Sequence, residues 1–359
     1  MNLIQQDIFK AGDEGIAIYR IPSLIVAPGG SLLAFCEARK ESCNDATPTD
    51  LVMKRSVDGG LSWSPMQVVV CGKGREAIMN PCPVVDGKII LLFCINAHKT
   101  GRGHHRYLVA ASDDDGITWT RADDITEKIE NCDDTFVPGP GVSIRTRSGR
   151  IVVPGGTKTF NIKKGAEGDR DQATCSARAV YSDDGGQSWR MGKPVASTTA
   201  NESQVVELSD GALMLNWREQ NYIGPSAGCR GTALSGDGGE TWSEPALARE
   251  LNETPCQASL LRYNPADGDE ADRMLLFSNI DVALNAEVHS QRKNMTVRLS
   301  RDDGRTWPVK RLINPGPSAY SCLAVLPDKT IALLYECGEN HPYERIRLAK
   351  FCLEWLAAD

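Results

Sequence analysis

The 359-residue chain has no apolar run long enough to cross a bilayer, so no membrane span is expected. Its N-terminus, MNLIQQDIFKAGDEG, shows no basic segment followed by an apolar stretch, so no signal peptide is visible. An export signal already removed would leave the same start, and a cytoplasmic or a secreted location both stay open. Positive charge is not in surplus: 40 Lys and Arg stand against 47 Asp and Glu, for a net charge of −7. Nucleic acid is therefore not expected as a partner, because phosphate binding needs a basic face. A small cationic pocket is still allowed, since net charge says little about local sites. The twelve cysteines contain no C-x-x-C pair. Several lie in apolar runs, such as Cys36 in LLAFCEA, Cys94 in LLFCI and Cys337 in LLYEC. They are expected to be mostly reduced, buried as small hydrophobes in a domain that needs no disulfide staples. Histidine is scarce, and His104 and His105 in KTGRGHHR read as a surface loop. No metal and no cofactor are expected. Helical periodicity is also scarce throughout.

What is present is a repeat. The pattern S-x-D-x-G-x-x-W occurs five times, as SVDGGLSW (Ser56 to Trp63), SDDDGITW (Ser112 to Trp119), SDDGGQSW (Ser182 to Trp189), SGDGGETW (Ser235 to Trp242) and SRDDGRTW (Ser300 to Trp307). The copies start 56, 70, 53 and 65 residues apart, and they take five of the seven tryptophans. Asp and Ser side chains hydrogen-bond amides within a turn, Gly allows a positive φ, and Trp packs its ring onto a sheet. Strand-like flanks, LVMKRS, ARAVYS and MTVRLS, precede three of the copies. Each copy therefore reads as a hairpin turn whose carboxylate is structural. Further strands are expected in GKIILLFCIN, GRIVVPGG, GALMLNWR and KTIALLYEC. Units of about 50 to 60 residues with four short strands are propeller blades, and the chain length allows roughly six. The expected fold is all-β: a six-bladed β-propeller of four-stranded antiparallel blades, forming a single domain over residues 1–359. The chain ends soon after the expected sixth blade, and no appended lectin domain is expected within it.

In a propeller, ligands bind where the inner strands converge. Three arginines interrupt apolar strands or sit at strand ends in separate blades: Arg20 in YRIP, Arg218 in LMLNWR and Arg292 in SQRKNMTVRLS. Their spacing suggests convergence without proving it. Here the chain resembles the sialidases (exo-α-neuraminidases) of the six-bladed propeller superfamily. YRIP is similar to that family's F/Y-R-I-P motif, and the repeats to its Asp-boxes. EARKESCNDATPTDLV (Glu37 to Val52) resembles its acid/base segment. NESQVVELSDGALMLNWR (Asn201 to Arg218) resembles the segment with its catalytic glutamate and second arginine. RKNMTVRLSRDDGRTWP (Arg292 to Pro308), followed by SAYSCL (Ser318 to Leu323), resembles the third arginine and the catalytic tyrosine.

The resemblance implies roles. Arg20, Arg218 and Arg292 would clamp the substrate carboxylate, with Glu336 bracing Arg20. Tyr320 would be the nucleophile, Glu202 its activating base and Asp45 the acid/base. Arg39 and Asp50 would contact the sugar near O4 and the N-acetyl group. Glu207, in the same segment as Glu202, is a rival for the base role. The chemistry needs such a set, because sialic acid carries a carboxylate on its anomeric carbon. Guanidinium forks bind carboxylates bidentately and stay charged when desolvated. A neutral tyrosine avoids pushing an anion toward a carbon that already bears one. The implied substrates are sialylated glycans on glycoproteins, glycolipids or oligosaccharides, and the implied state is a monomer. Enzymes acting on the deaminated sugar KDN, trans-sialidases and anhydro-forming variants would share these residues. A non-catalytic propeller would have no reason to keep them together.

Overall fold

Strands of β-branched and aromatic residues, separated by Gly- and Asp-rich turns, form antiparallel sheets arranged like the blades of a propeller. The computed structural model describes residues 2–95, 105–132, 136–159, 174–220, 228–252, 254–263, 273–283 and 291–358. The first sheet has the order Ile18–Val26, Leu32–Arg39, Thr49–Ser56, Gln67–Val70. The second runs Ile78–Val85, Ile89–Ile95, Arg106–Ser112, Asp123–Asp124. In the third, Ile151–Thr159, Thr174–Ser182 and Trp189–Met191 pair in sequence, and the inner edge is split into Phe136–Pro138 and Ile144–Arg145. A short strand, Ile129–Glu130, adds in parallel to the outer edge. The fourth sheet is Ala200–Glu207, Leu213–Glu219, Cys229–Ser235, Ala246–Asn252.

The rest of the chain departs from the expected six separate sheets. Hydrogen bonding delineates five sheets among the described residues, and one of them has seven strands. The cause is a continuous 17-residue strand, Val309–Val325. Its first half pairs with Lys293–Ser300, beside Leu275–Ile280 and Ser259–Arg262. Its second half pairs with Ile331–Cys337, beside Arg345–Phe351. The N-terminal strand Ile4–Lys10 then pairs with Arg345–Phe351, so the two ends of the chain share a sheet.

Second strands such as IILLFCI (Ile89–Ile95) and IALLYEC (Ile331–Cys337) are buried along their whole length. Neighbouring sheets cover both of their faces, which is why they read as unbroken apolar runs rather than alternating ones. Eight of the twelve free cysteines are buried, as their apolar settings suggested. Inner strands of different sheets are tied by side chains. Ser23 Oγ donates to the Gly141 carbonyl at 2.7 Å, and Gln204 Nε2 donates to that of Pro140 at 2.8 Å. Gln257 and Ser321 exchange two hydrogen bonds at 2.9 Å.

Each of the five repeats closes the turn after the third strand of its sheet. In every copy the Ser hydroxyl donates to the Asp at 2.7–2.8 Å and accepts the N–H of the pattern's constant Gly at 2.8–2.9 Å. That glycine has φ of 78–94°, a conformation that disfavours a side chain. A fifth constant position emerges that the four-residue pattern leaves out. The Ser or Thr just before each Trp gives both its N–H and its hydroxyl to the Asp. The carboxylates are thus consumed within their own turns, as expected for structural residues.

Candidate active site

A small irregularity recurs where the inner strands begin. The pairing register slips between Arg20 and Ser23, between Met79 and Cys82, between Ala200 and Ser203, and between Ser318 and Ser321. Such bulges re-aim side chains and free backbone groups from the ladder. Arg20, Asn80, Glu202 and Tyr320 all lie at or within these slips. Two non-glycine residues there take positive φ: Ile21 at 59° and Asn80 at 58°. For the β-branched Ile21 this conformation is costly, and it persists only where the surroundings enforce it.

The enforcing group is Glu336, which is fully buried. Its Oε1 accepts from Arg20 Nε at 3.0 Å and from the Ile21 N–H at 2.8 Å. Its Oε2 accepts from Arg20 Nη2 and from the Tyr320 N–H, both at 3.2 Å. One carboxylate therefore holds Arg20, the backbone of the first inner strand and the backbone of Tyr320. Burial works against the charge of Arg20, but Glu336 outweighs it and holds the guanidinium protonated. Glu37 repeats the device one sheet further on. Its Oε1 accepts the Asn80 N–H at 2.9 Å, while its Oε2 takes Arg39 Nη2 at 2.6 Å.

Three guanidiniums gather on Tyr320. The Arg20 and Arg292 Cζ atoms lie 5.0 and 5.4 Å from its ring centroid, and Arg218 Nη1 is 3.3 Å from its hydroxyl. The hydroxyl donates to Glu202 Oε1, and Glu202 Oε2 pairs with Arg218 Nη1 at 2.9 Å. Burial and the Glu202 charge push the phenol well above its ordinary pKa, and the three arginines pull it down. Arg218 Nε is buried without a hydrogen-bond partner among the described residues. A buried, unpaired guanidinium N–H is costly unless an anion or water completes it. Arg292 donates from Nη1 to the Tyr343 hydroxyl and from Nη2 to the Pro255 carbonyl, each at 3.0 Å.

Glu202, Arg218 and Tyr320 line a cavity of about 430 Å³ together with Asp45. Asp45 lies on the loop after Leu32–Arg39. Its side chain is 67% exposed, and Oδ1 is 2.8 Å from Arg39 Nη1. Met79, Cys94, Val137 and His105 also line the cavity. His105 is buried there, contrary to its expected place on a surface loop, and His104 lies outside the described residues. Glu207 is separated from Tyr320. It sits at the other end of the Ala200–Glu207 strand and accepts the Arg147 N–H at 2.9 Å. The geometry thus favours Glu202 of the two candidate bases.

Arg20, Arg292, Arg39 and Asp50 lie outside the lining of this cavity. Arg39 is buried and engaged by Glu37, the Cys43 carbonyl and Asp45. Asp50 accepts the Gly72 N–H at 2.8 Å and pairs with Lys40 Nζ at 2.8 Å. Arg39 thus contacts Asp45 directly, and Asp50 pairs with Lys40 at the start of the same loop. Glu37 and Tyr343 were not singled out in the sequence. Glu37 stands two residues before Arg39 in CEAR, and its pairing is visible only once the chain is folded.

The BNR repeat-like domain family matches residues 30–333. A sialidase of Micromonospora viridifaciens is 33% identical over 98% of this chain, which covers 54% of that protein. A sialidase of Bacteroides fragilis is 31% identical over 92% of this chain, which covers 62% of it. The chain thus spans less than two thirds of the length of these two relatives. Among solved structures, a Hadza microbial sialidase aligns with a TM-score of 0.81 at 26% identity, covering 98% of this chain and 69% of that one. With its box turns and propeller-like sheets, the chain belongs to the BNR repeat-like domain family, and it is similar to sialidases over nearly its whole length.

Proposed function

We propose that the protein is an exo-α-sialidase, hydrolysing terminal α-linked sialic acids from glycoproteins, glycolipids and oligosaccharides with retention of configuration. The observation that carries this reading is the Tyr320 hydroxyl donating to Glu202 while three guanidiniums surround the same ring. Arg20, Arg218 and Arg292 bind the substrate carboxylate. Sialidases are known to use a tyrosine where most retaining glycosidases use a carboxylate. Tyr320 Oη attacks the anomeric carbon as its proton passes to Glu202. Asp45 gives a proton to the departing glycosidic oxygen. In the second half, Asp45 takes a proton from water, the water oxygen bonds to the anomeric carbon, and Tyr320 leaves with its proton returned from Glu202. Arg39 and Asp50 hold the loop on which Asp45 sits.

The scaffold in this proposal is a six-bladed ring formed as one domain. The seven-stranded sheet counts as two blades that share Val309–Val325. Five of the six third strands end in a box turn, and the last, Arg345–Phe351, leads instead to the short helix Leu353–Ala357.

Release of 4-methylumbelliferone from its α-sialoside, with proton NMR of the sugar, tests the reading. The α-anomer of free sialic acid should appear first, and Tyr320→Phe should lose turnover. First appearance of the β-anomer, or of an anhydro or transferred product, would overturn the retaining-hydrolase assignment. An unchanged rate in Tyr320→Phe would overturn the nucleophile. Binding without release by the wild-type protein would make the site a binding module.

A further inference from the structure

We infer that Tyr343 is a fourth member of the anion clamp, its hydroxyl held by Arg292 and donating to the carboxylate of the bound sugar. The inference rests on the sialidase reading above. Tyr343 belongs to the loop that follows Ile331–Cys337. The Glu344 carboxylate shapes this loop by accepting the N–H groups of Glu339, Asn340 and His341, each at 2.9 Å. These bonds draw the carboxyl pKa down to about 2, so the loop is held at neutral pH. Gly338 permits the turn, since a Cβ there would lie 2.0 Å from the His341 carbonyl oxygen. The His341 ring braces Tyr343 edge-on, with centroids 4.6 Å apart.

So held, the Tyr343 ring covers the Arg20 guanidinium, with Cζ 3.9 Å from its centroid. Its oxygen accepts from Arg292 Nη1 at 3.0 Å. A phenol that accepts one bond still carries a proton to donate. That proton has no acceptor among the described residues, although the half-buried phenol sits between two cations. Burial raises the phenol pKa further than Arg20 and Arg292 lower it, so the proton is retained. Glu336 takes Arg20 Nε and Nη2, while Tyr343 and Pro255 take the two Nη atoms of Arg292. Among the described residues, Arg20 Nη1 and Arg292 Nε are the nitrogens of these two arginines with no partner, and the Tyr343 O–H is also unspent. All three belong to side chains in mutual contact, and an anion is the ligand that would use them together.

The test compares wild type with Tyr343→Phe, which keeps the ring on Arg20 and removes only the hydroxyl. Calorimetry would measure binding of 2-deoxy-2,3-dehydro-N-acetylneuraminic acid and of its methyl ester. A lost hydrogen bond to a charged group should weaken the acid about tenfold or more, and the ester far less. In turnover, KM should rise more than kcat falls. A crystal structure with the acid should place the Tyr343 oxygen within about 3.2 Å of a carboxylate oxygen. Equal affinity of Tyr343→Phe and wild type for the acid, an equal loss for acid and ester, or a phenol out of reach of the carboxylate would each overturn the inference. A wild-type protein that neither binds the acid nor turns over a sialoside would instead overturn the sialidase reading on which it stands.

Discussion

Glu336→Gln is nearly isosteric, so it isolates the charge at the junction of the first and last sheets. The native carboxylate accepts four hydrogen bonds, at 2.8, 3.0, 3.2 and 3.2 Å, and is fully buried. In glutamine one of the two oxygens becomes an NH2 group. Whichever way the amide turns, that NH2 meets donors: Arg20 Nε with the Ile21 N–H, or Arg20 Nη2 with the Tyr320 N–H. Arg20, only 6% exposed, also loses its counter-ion. Removing one partner of a buried ion pair costs about 3–5 kcal/mol, against a total stability of about 5–15 kcal/mol for a folded domain. Urea unfolding followed by tryptophan fluorescence should therefore show a large shift to lower denaturant. Glu207→Gln serves as the control. Its carboxylate takes one exposed backbone N–H at 2.9 Å, so the loss should stay near about 0.5 kcal/mol. KM for a sialoside should rise in Glu336→Gln but not in the control, because Arg20 and the Tyr320 backbone share this anchor. If Glu336→Gln lost less than about 1 kcal/mol, the claim that one carboxylate clasps both ends of the chain would be wrong.

Asp45→Asn should cut turnover of a sialyl-oligosaccharide by about 10²- to 10⁴-fold, and that of a 4-methylumbelliferyl sialoside much less, because an acidic phenol needs little protonation to leave. Equal losses on the two substrates would remove Asp45 from the general-acid role. The box aspartates predict acid sensitivity. Hydrogen bonds from the Thr118 and Ser188 hydroxyls, then from backbone N–H groups, hold Asp114 and Asp184 at about 2, below the ordinary 3.8. A pKa depressed in the folded state adds stability above the unfolded value, and that stability disappears as pH falls from 3.8 toward 2. Asp184→Asn should melt lower than wild type at pH 7 and show a shallower decline between pH 4 and pH 2. Parallel declines would mean that these turns do not set the acid limit.

Much of the scaffold was legible because its code is local and repeated. Asp, Gly and Trp at constant offsets mark turns, and runs such as IALLYEC mark strands buried on both faces. What stayed hidden depends on partners distant in sequence. Glu336 meets Arg20 across 316 residues and Glu202 meets Tyr320 across 118, and no window of sequence carries either contact. Arg39 and Asp50 were recognisable as polar residues beside Asp45. Their partners Glu37, Lys40 and Gly72 become visible only once the chain is folded. The fused seven-stranded sheet was hidden because Asn-Pro-Gly-Pro at 314–317 reads as a break, yet the strand runs through it.

The site nevertheless leaves one local trace, and it is an irregularity. The inner strands should alternate or run apolar, but each described slip carries a polar or proline-containing interruption: YRIPS, MNPC, NES and SAYS. A strand that kept strict register there would pair Arg20 and Tyr320 into the ladder and turn their side chains by the ordinary alternation. The slip instead frees the N–H groups of Ile21, Asn80 and Tyr320 to bind Glu336 and Glu37. The same bulges that weaken the sheet thus supply the donors that let two carboxylates be buried, and those carboxylates fix Arg20 and Arg39. Strand disorder in the pattern and order in the site are one arrangement, which is why the residues that spoil the strands are the ones gathered around Tyr320 and Glu202.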